Sequence, residues 1–207
     1  MAIVKLNDRG VRNVSEFGSV VGGSMIFIKK LTASSSDDLS FVDGTSDVVL
    51  DDTYKEYVFT LNNMHAETSG NNPKMTASTN TGSSYGVTAT TTDFRVTHNE
   101  AGTATSLTYR TATDLAQSSD PVHIFGGTGT GIENDECCVG IIHLFNPSST
   151  TFVKHFIART HGYSDDDRAY SNFSAGYFNT TSAIDAIQFA NADDAIDAGD
   201  ICLYGIK

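Results

Sequence analysis

The chain has 207 residues, of which 13 are Lys or Arg, 25 are Asp or Glu, and 39% are hydrophobic. This hydrophobic share excludes a disordered chain, and the net charge of −12 argues against nucleic acid and anionic membranes, whose phosphates it would repel. No stretch nears the roughly 18 consecutive apolar residues of a membrane span. Residues 1–20 carry charges and lack the apolar core of a signal peptide. We therefore expect a soluble globular protein.

Charge is distributed unevenly along the chain. The first 30 residues hold five basic and two acidic side chains, whereas the remaining 177 residues hold eight basic and 23 acidic ones. We expect a basic N-terminal arm, residues 1–20, followed by one acidic domain, residues 21–207. Lys5, Arg9 and Arg12 are the candidate anchoring residues of this arm on an acidic surface. The alternative is that the segment is an ordinary first strand.

The body has the sequence pattern of short β-strands. Apolar residues alternate with polar ones, or form short runs, over residues 25–28, 57–62, 75–79, 85–89, 94–97, 107–109, 139–145, 152–157 and 201–206. These segments are rich in Thr, Val, Phe and Tyr and are separated by Gly, Asn, Ser and Asp clusters. The pattern predicts an all-β, antiparallel sandwich or barrel. Residues 139–145 form a near-continuous apolar run, which is typical of a strand covered on both faces.

Three segments allow other structures. Residues 111–117 fit a short helix with Thr113 or Asp114 near its start as the cap. Residues 183–187 fit either one helical turn or the start of a strand. The glycine-rich residues 126–131 predict a long loop. Its spacing is not that of a phosphate-binding loop, and the acidic residues after it would repel a phosphate.

No motif indicates catalysis, a cofactor or a metal centre. The six histidines are scattered, and the three cysteines lack CxxC spacing, which favours buried free thiols in a reducing cytoplasm. Asp165, Asp166 and Asp167 lie between Tyr163 and Tyr170 in a polar segment. We interpret the segment as a solvated loop, with a surface Ca²⁺ or Mg²⁺ site as the alternative.

Two features favour contacts between copies of the chain. Several tyrosines lie beside loops or strand ends, where they suit either sugar stacking or subunit contacts: Tyr54, Tyr57, Tyr85, Tyr109, Tyr163, Tyr170 and Tyr177. The absence of Trp, the strongest sugar-stacking group, favours subunit contacts. Strands rich in Ser, Thr and Gly and poor in Lys also lack the usual charged protection of sheet edges, which predicts that copies bury those edges.

Four sequence blocks resemble the β-rich virion proteins of tailed bacteriophages, particularly marine ones. The blocks are VSEFGS at 14–19, FNPSSTTFVKH at 145–155, GYFNTTSAI at 176–184 and ICLYGIK at 201–207. The resemblance implies a jelly-roll-like sandwich, often a homotrimer, that is made in the host cytoplasm and located in the virion. It implies no catalytic residues.

The main hypothesis is therefore a non-enzymatic capsid decoration, or cement, protein that binds across neighbouring shell subunits. Its partners would be copies of itself and the major capsid protein, or else tail proteins. The alternative is a tail-fibre or tail-tip module that recognises a host surface glycan. That module would use Tyr163, Asp165, Asp166, Asp167 and Tyr170 as an exposed recognition loop. A third, remote possibility is a polysaccharide hydrolase with two carboxylates about 5 to 10 Å apart in a cleft.

Overall fold

The computed structural model describes residues 24–126 and 129–207. The predicted arm, residues 1–20 with Lys5, Arg9 and Arg12, lies outside the described residues. Within them the chain forms twelve β-strands and no helix. In chain order the strands are β1 (Met25–Ser36), β2 (Asp38–Val42), β3 (Glu56–Ala66), β4 (Lys74–Ser78), β5 (Ala89–Asn99), β6 (Thr105–Tyr109), β7 (Val122–His123), β8 (Cys138–Phe145), β9 (Lys154–Ser164), β10 (Arg168–Phe178), β11 (Ala186–Ala190) and β12 (Ile196–Ile206).

The strands form two antiparallel sheets that share one hydrophobic core. The larger sheet has the order β1-β12-β3-β8-β9-β10-β5-β6, and the smaller one has the order β2-β11-β4-β7. A single cluster of buried residues draws side chains from both sheets. The predicted all-β antiparallel sandwich is therefore confirmed. A jelly roll divides eight strands between two sheets, whereas this sandwich divides eight and four, and the jelly-roll connectivity stays a prediction.

The core is aromatic where β2 and β11 pack on β3. The alternation of Tyr57, Phe59 and Leu61 points these residues inward, as the sequence predicts, and all three are buried. The ring of Phe59 lies edge-on to those of Phe41 and Phe189, with centroid distances of 5.3 Å in both cases. We call Phe41, Phe59 and Phe189 the aromatic region.

The core is polar where β5 and β10 are covered by the segment after β6. Asp93, only 1% exposed, accepts hydrogen bonds from Arg110 (3.1 Å), Thr113 (2.8 Å) and Ser174 (3.2 Å). Asn172, oriented to satisfy both neighbours, accepts from Arg110 and donates to the Gly126 carbonyl, both at 3.2 Å. We call Asp93, Arg110, Thr113, Asn172 and Ser174 the polar region.

Gly126 has to be glycine because of the polar region. A Cβ atom at this position would lie 1.5 Å from the Arg110 guanidinium. Any larger residue would displace the Arg110 guanidinium from Asp93. Gly126, the first residue of the glycine-rich segment predicted as a loop, therefore packs directly against Arg110.

Three local predictions are wrong. Residues 111–117 form turns instead of a helix, and the Thr113 hydroxyl bonds to Asp93 instead of capping a helix. Residues 85–88 lie outside the strands, and β5 begins only at Ala89. Phe152 precedes β9 and is 69% exposed, so the predicted alternation from this residue begins two residues later. For residues 183–187, the structure agrees with the strand alternative, since β11 begins at Ala186.

The prediction of two covered faces for residues 139–145 is also wrong. Cys138, Ile142 and Leu144 are buried against the core, but Val139 on the opposite face is 41% exposed. β8 lies between β3 and β9 near the middle of the larger sheet. The second face of this central strand is therefore apolar and open to solvent.

Candidate interaction surface

The outward-facing side of the larger sheet, which we call the outer face, collects the exposed apolar side chains. Among the described residues, eight of the ten exposed large hydrophobic side chains lie on it. They are Met25, Phe27, Phe94, Val96, Leu107, Tyr109, Val139 and Ile157. Strand register brings them together, because residues directly opposite on neighbouring strands share a face: Phe94 pairs with Tyr109 and Val96 with Leu107.

Contacts between aromatic rings fix the positions of exposed side chains near both edges of the outer face. Near β5, Phe94 stacks on Phe173 at 5.0 Å with an interplanar angle of 6°. The Arg159 guanidinium lies 5.2 Å from the Phe173 ring centroid. Near β1, Phe27 packs edge-on against Tyr204 at 5.7 Å. Such contacts hold the rings in place before any partner arrives, which lowers the entropy lost on binding.

The outer face carries few acidic side chains, although the chain carries −12. A hydrogen bond from Thr32 and the Lys30 ammonium lower the pKa of Asp200, which keeps that carboxylate ionised and paired. The strands of the larger sheet hold two other outward-facing acids, and each lies beside a histidine: Glu56 beside His143 and Asp197 beside His65. The acidic character of the protein therefore resides mainly in its loops and turns.

Two shallow grooves cross the outer face. One, of about 360 Å³, runs along β5, β10 and β9 and is lined by Thr92, Tyr177 and Ile157 among others. The second, of about 510 Å³, runs along β3, β8 and β9 past Val139 and Arg159. Both are open, so they suit side chains of a docked surface better than an enclosed small molecule.

The predicted exposed recognition loop is only partly exposed. Tyr170 is 1% exposed, so its assignment to an exposed loop is wrong. Its ring packs against Phe125 and beneath Arg95, and its hydroxyl donates to Asp166 at 2.7 Å. Burial and Asp166 raise the pKa of Tyr170. Tyr163 lies half-buried on β9.

Asp165, Asp166 and Asp167 form the hairpin turn between β9 and β10. Asp167 has a φ of +60°, and its N–H donates to the Ser164 carbonyl at 3.1 Å. Three-residue hairpins place their last residue in this left-handed conformation, which Asp tolerates well. The turn geometry thus accounts for Asp at position 167. No group of three His, Cys, Asp or Glu within the described ranges is placed to hold a metal ion.

The tyrosines and cysteines divide between core and surface. Tyr57 is buried like Tyr170, whereas Tyr109 is exposed on the outer face. Cys138 is buried, but Cys137 and Cys202 are only half-buried, so the prediction of three buried thiols holds for one of them.

A pocket of about 320 Å³ brings together His65, Cys137 and Asp197. His65 Nδ1 lies 3.3 Å from Asp197 Oδ2, and Nε2 lies 3.2 Å from the Glu133 carbonyl oxygen. Burial and Asp135 raise the pKa of Cys137. A nucleophilic cysteine needs a lowered pKa, so the grouping is not that of an activated thiol.

Comparison of the chain with protein-family models, curated proteins and solved structures finds no match. None of the described residues belongs to a helix long and apolar enough to cross a membrane. The outer face is a candidate interaction surface, and of the tyrosines predicted for subunit contacts it includes Tyr109, whereas its aliphatic residues are not predicted as a site. Its signal in the sequence is the apolar run at 139–145 together with the alternating pairs at 94–97 and 107–109.

Proposed function

We propose that the chain is a non-enzymatic structural protein of a tailed-phage virion, acting as a capsid decoration protein that binds across neighbouring shell subunits. The four resembling sequence blocks supply the virion part of this proposal. The observation that carries the contact part is the outer face, with its eight exposed large hydrophobic side chains.

The size of the outer face suits a stable protein interface. Eight strands about 4.8 Å apart span about 34 Å, and about seven residues of strand add a length of about 24 Å. The product, about 800 Å², is the footprint of the whole face and is comparable with one side of a standard interface. The exposed apolar side chains cover part of this area, and clusters of exposed apolar side chains on soluble proteins mark interaction sites.

The charge distribution leaves the outer face as the side on which copies of the same chain can approach each other. Two molecules of charge −12 repel each other, and the repulsion is weakest where acidic side chains are few. We propose that copies assemble through the outer face, as a homotrimer, and that the arm with Lys5, Arg9 and Arg12 anchors this assembly on an acidic shell.

The test combines sedimentation with binding to capsids. Ile157, 53% exposed near the middle of the outer face, is replaced by Glu. Ser83→Glu serves as the control because it adds the same charge to an exposed residue of the segment after β4, outside the larger sheet. We expect Ile157→Glu to reduce self-association and capsid binding at least tenfold and Ser83→Glu to change neither. Equal effects of the two variants would refute the role of the outer face.

Deletion of residues 1–20 tests the anchor separately. We expect the truncated chain to self-associate normally but to lose capsid binding. Unchanged capsid binding would refute the arm as anchor, and a copy number of a few tens or fewer per virion would place the protein in the tail.

Glycan recognition by a tail module is the competing outcome. The burial of Tyr170 removes one of its five proposed recognition residues, and exposed Asp167 remains at the turn. A glycan array with wild type and Asp167→Ala distinguishes the two functions. A saccharide signal lost in the variant would favour recognition over decoration.

A further inference from the structure

The two edges of the larger sheet differ in how they are protected. β1 carries Lys29 and Lys30 and has an irregular register between Phe27 and Lys29. Charged residues and bulges of this kind discourage a further strand from pairing. β6 (Thr105–Tyr109) has no charge, no proline and no register shift, and all five residues are exposed. The β6 edge is therefore open to strand addition.

The hydrogen bonds of the β5–β6 hairpin determine which groups that edge offers. Arg110 N–H donates to the Asp93 carbonyl at 2.9 Å, and Asn99 N–H donates to the Ala104 carbonyl at 3.2 Å. In an antiparallel pair, hydrogen-bonded and non-bonded positions alternate. Ser106 and Thr108 thus bond to β5, whereas the backbone groups of Thr105, Leu107 and Tyr109 point away from it. Among the described strands, none pairs with β6 on that side.

We propose that the β6 edge pairs with β6 of a second copy, antiparallel and centred on Leu107. The proposal rests on the proposed self-association but names a separate contact. Leu107 would face Leu107 of the second copy, and Thr105 would face Tyr109 in both directions. The three outward residues of each strand would then exchange about six backbone hydrogen bonds.

The side chains of β6 fit this pairing. The strand reads TSLTY, so no like charges meet across the two-fold axis. Ser106 would lie opposite Thr108, which suits a hydroxyl–hydroxyl contact. On the outer face, Leu107, 72% exposed, would be covered by its own symmetry mate. The two larger sheets would become one continuous sheet, and the apolar side chains of β5 and β6 on the two outer faces would lie side by side.

A two-fold contact of this kind cannot close a trimer. It would instead join two copies that belong to neighbouring trimers. Edge pairing would therefore connect neighbouring trimers to each other. The outer face would form the contacts within each trimer, and the arm would attach the trimer to the shell.

The test uses the full chain and two lysine variants. Leu107→Lys places a charge at the open edge, and Ser83→Lys places the same charge on an exposed residue of the segment that follows β4 of the smaller sheet. Sedimentation velocity over a range of concentrations gives the dissociation constant. We expect Leu107→Lys to weaken the two-fold association at least tenfold and Ser83→Lys to leave it unchanged.

Amide hydrogen exchange by NMR provides a second measurement that needs no variant. As concentration rises, the amides of Leu107 and Tyr109 should become protected, whereas Ser106 and Thr108 should be protected at every concentration. Fast exchange of Leu107 and Tyr109 at all concentrations would overturn the pairing.

The outcomes separate this proposal from the proposed function. If the wild type associates and binds capsids while its β6 amides stay unprotected, the edge pairing fails and the decoration role stands. If β6 pairs but neither outer-face variants nor capsids show any effect, the pairing stands and the decoration role fails. A chain that is monomeric at all concentrations overturns the pairing outright.

Discussion

The aromatic region and the polar region lie in the same sandwich but are held together by different interactions. In the aromatic region, three rings contact one another edge-on, and no direction of approach is required of their neighbours. In the polar region, a buried carboxylate needs three donors at fixed positions. The first region draws its stability from area removed from water. The second favours one particular arrangement of the chain, because any arrangement that lacks one of these partners leaves a buried polar group without a hydrogen bond.

This difference matters for the open edge. Asp93 and Arg110 stand at the β6 end of the larger sheet, and the Arg110 N–H bonds to the Asp93 carbonyl in the same hairpin. The side chains of β6 do not by themselves exclude a shift of the strand by two residues, because Ser106 and Thr108 on one face are alike in size and polarity. A directional ion pair at its end fixes one register, and hence fixes which backbone groups face outward.

Removing a ring from the aromatic region should have the largest effect. Phe59 is fully buried between Phe41 and Phe189. We expect Phe59→Ala to lower the free energy of unfolding by about 4 kcal/mol, because it removes contacts and leaves a cavity. Phe59→Leu should cost about 1 kcal/mol, since it largely conserves volume. Urea denaturation measures both, and equal losses would contradict a cavity-dominated core.

Removing one partner from the polar region should cost nearly as much. We expect Asp93→Ala to lower the free energy of unfolding by about 3 kcal/mol, because Arg110 stays buried without its carboxylate. The double variant Asp93→Leu, Arg110→Met removes both charges and should cost less than Asp93→Ala alone. Thermal unfolding of the single and double variants tests the difference. A double variant that is less stable than Asp93→Ala would contradict the coupling of the two buried charges.

Acid should weaken the structure next to the polar region first. Burial, with Lys74 and Arg110 nearby, lowers the pKa of His123 to about 4. Between about pH 6.5 and 4 the unfolded chain therefore binds a proton that the folded chain does not, so stability falls as pH falls. We expect a loss of about 2 kcal/mol over this range for a partly enclosed ring.

His123→Phe isolates this contribution from the carboxylates. The difference in unfolding free energy between variant and wild type, followed from pH 7 to pH 4, should grow in favour of the variant. A difference that is independent of pH would mean that His123 does not titrate differently in the folded protein.

A single hydroxyl in the polar region should have the smallest measurable effect. Ser174 is 3% exposed and donates to Asp93 at 3.2 Å. We expect Ser174→Ala to lower the unfolding free energy by about 1 kcal/mol. The exposed Ser83→Ala serves as the control and should change it by less than about 0.5 kcal/mol. Differential scanning fluorimetry compares the two, and equal shifts would argue that the polar region tolerates the loss of one donor.

The two regions also differ in how far sequence predicts them. The inward alternation of Tyr57, Phe59 and Leu61 follows directly from hydropathy, because one face of β3 is apolar. On β10 the inward residues include Tyr170, Asn172 and Ser174, which are polar or amphipathic. The buried face and the exposed face of β10 are therefore similar in hydropathy. For this reason the sequence pattern does not identify Tyr170 as a buried residue.

The outer face is not predicted from the sequence, because the hydropathy pattern again fits more than one arrangement. A continuous apolar run such as residues 139–145 is equally compatible with a second layer of the same chain and with an uncovered face. The polar region is not predicted either, because Asp93 and Arg110 lie 17 residues apart, joined by a hairpin, and no local pattern pairs them. Both features arise only when strand order and register are known.

The position of β12 between β1 and β3 has a consequence for how the chain reaches this structure. Lys30 on β1 pairs with Cys202 on β12, far along the chain, and among the described strands β1 has no other neighbour in the larger sheet. During synthesis β1 therefore stays without its partner strand until β12, the last strand of the chain, has been made. Contacts between such distant residues slow folding and expose unpaired strands to aggregation. Lysines on an edge strand discourage pairing with other chains, so we expect Lys29 and Lys30 to limit aggregation of β1 before β12 is available.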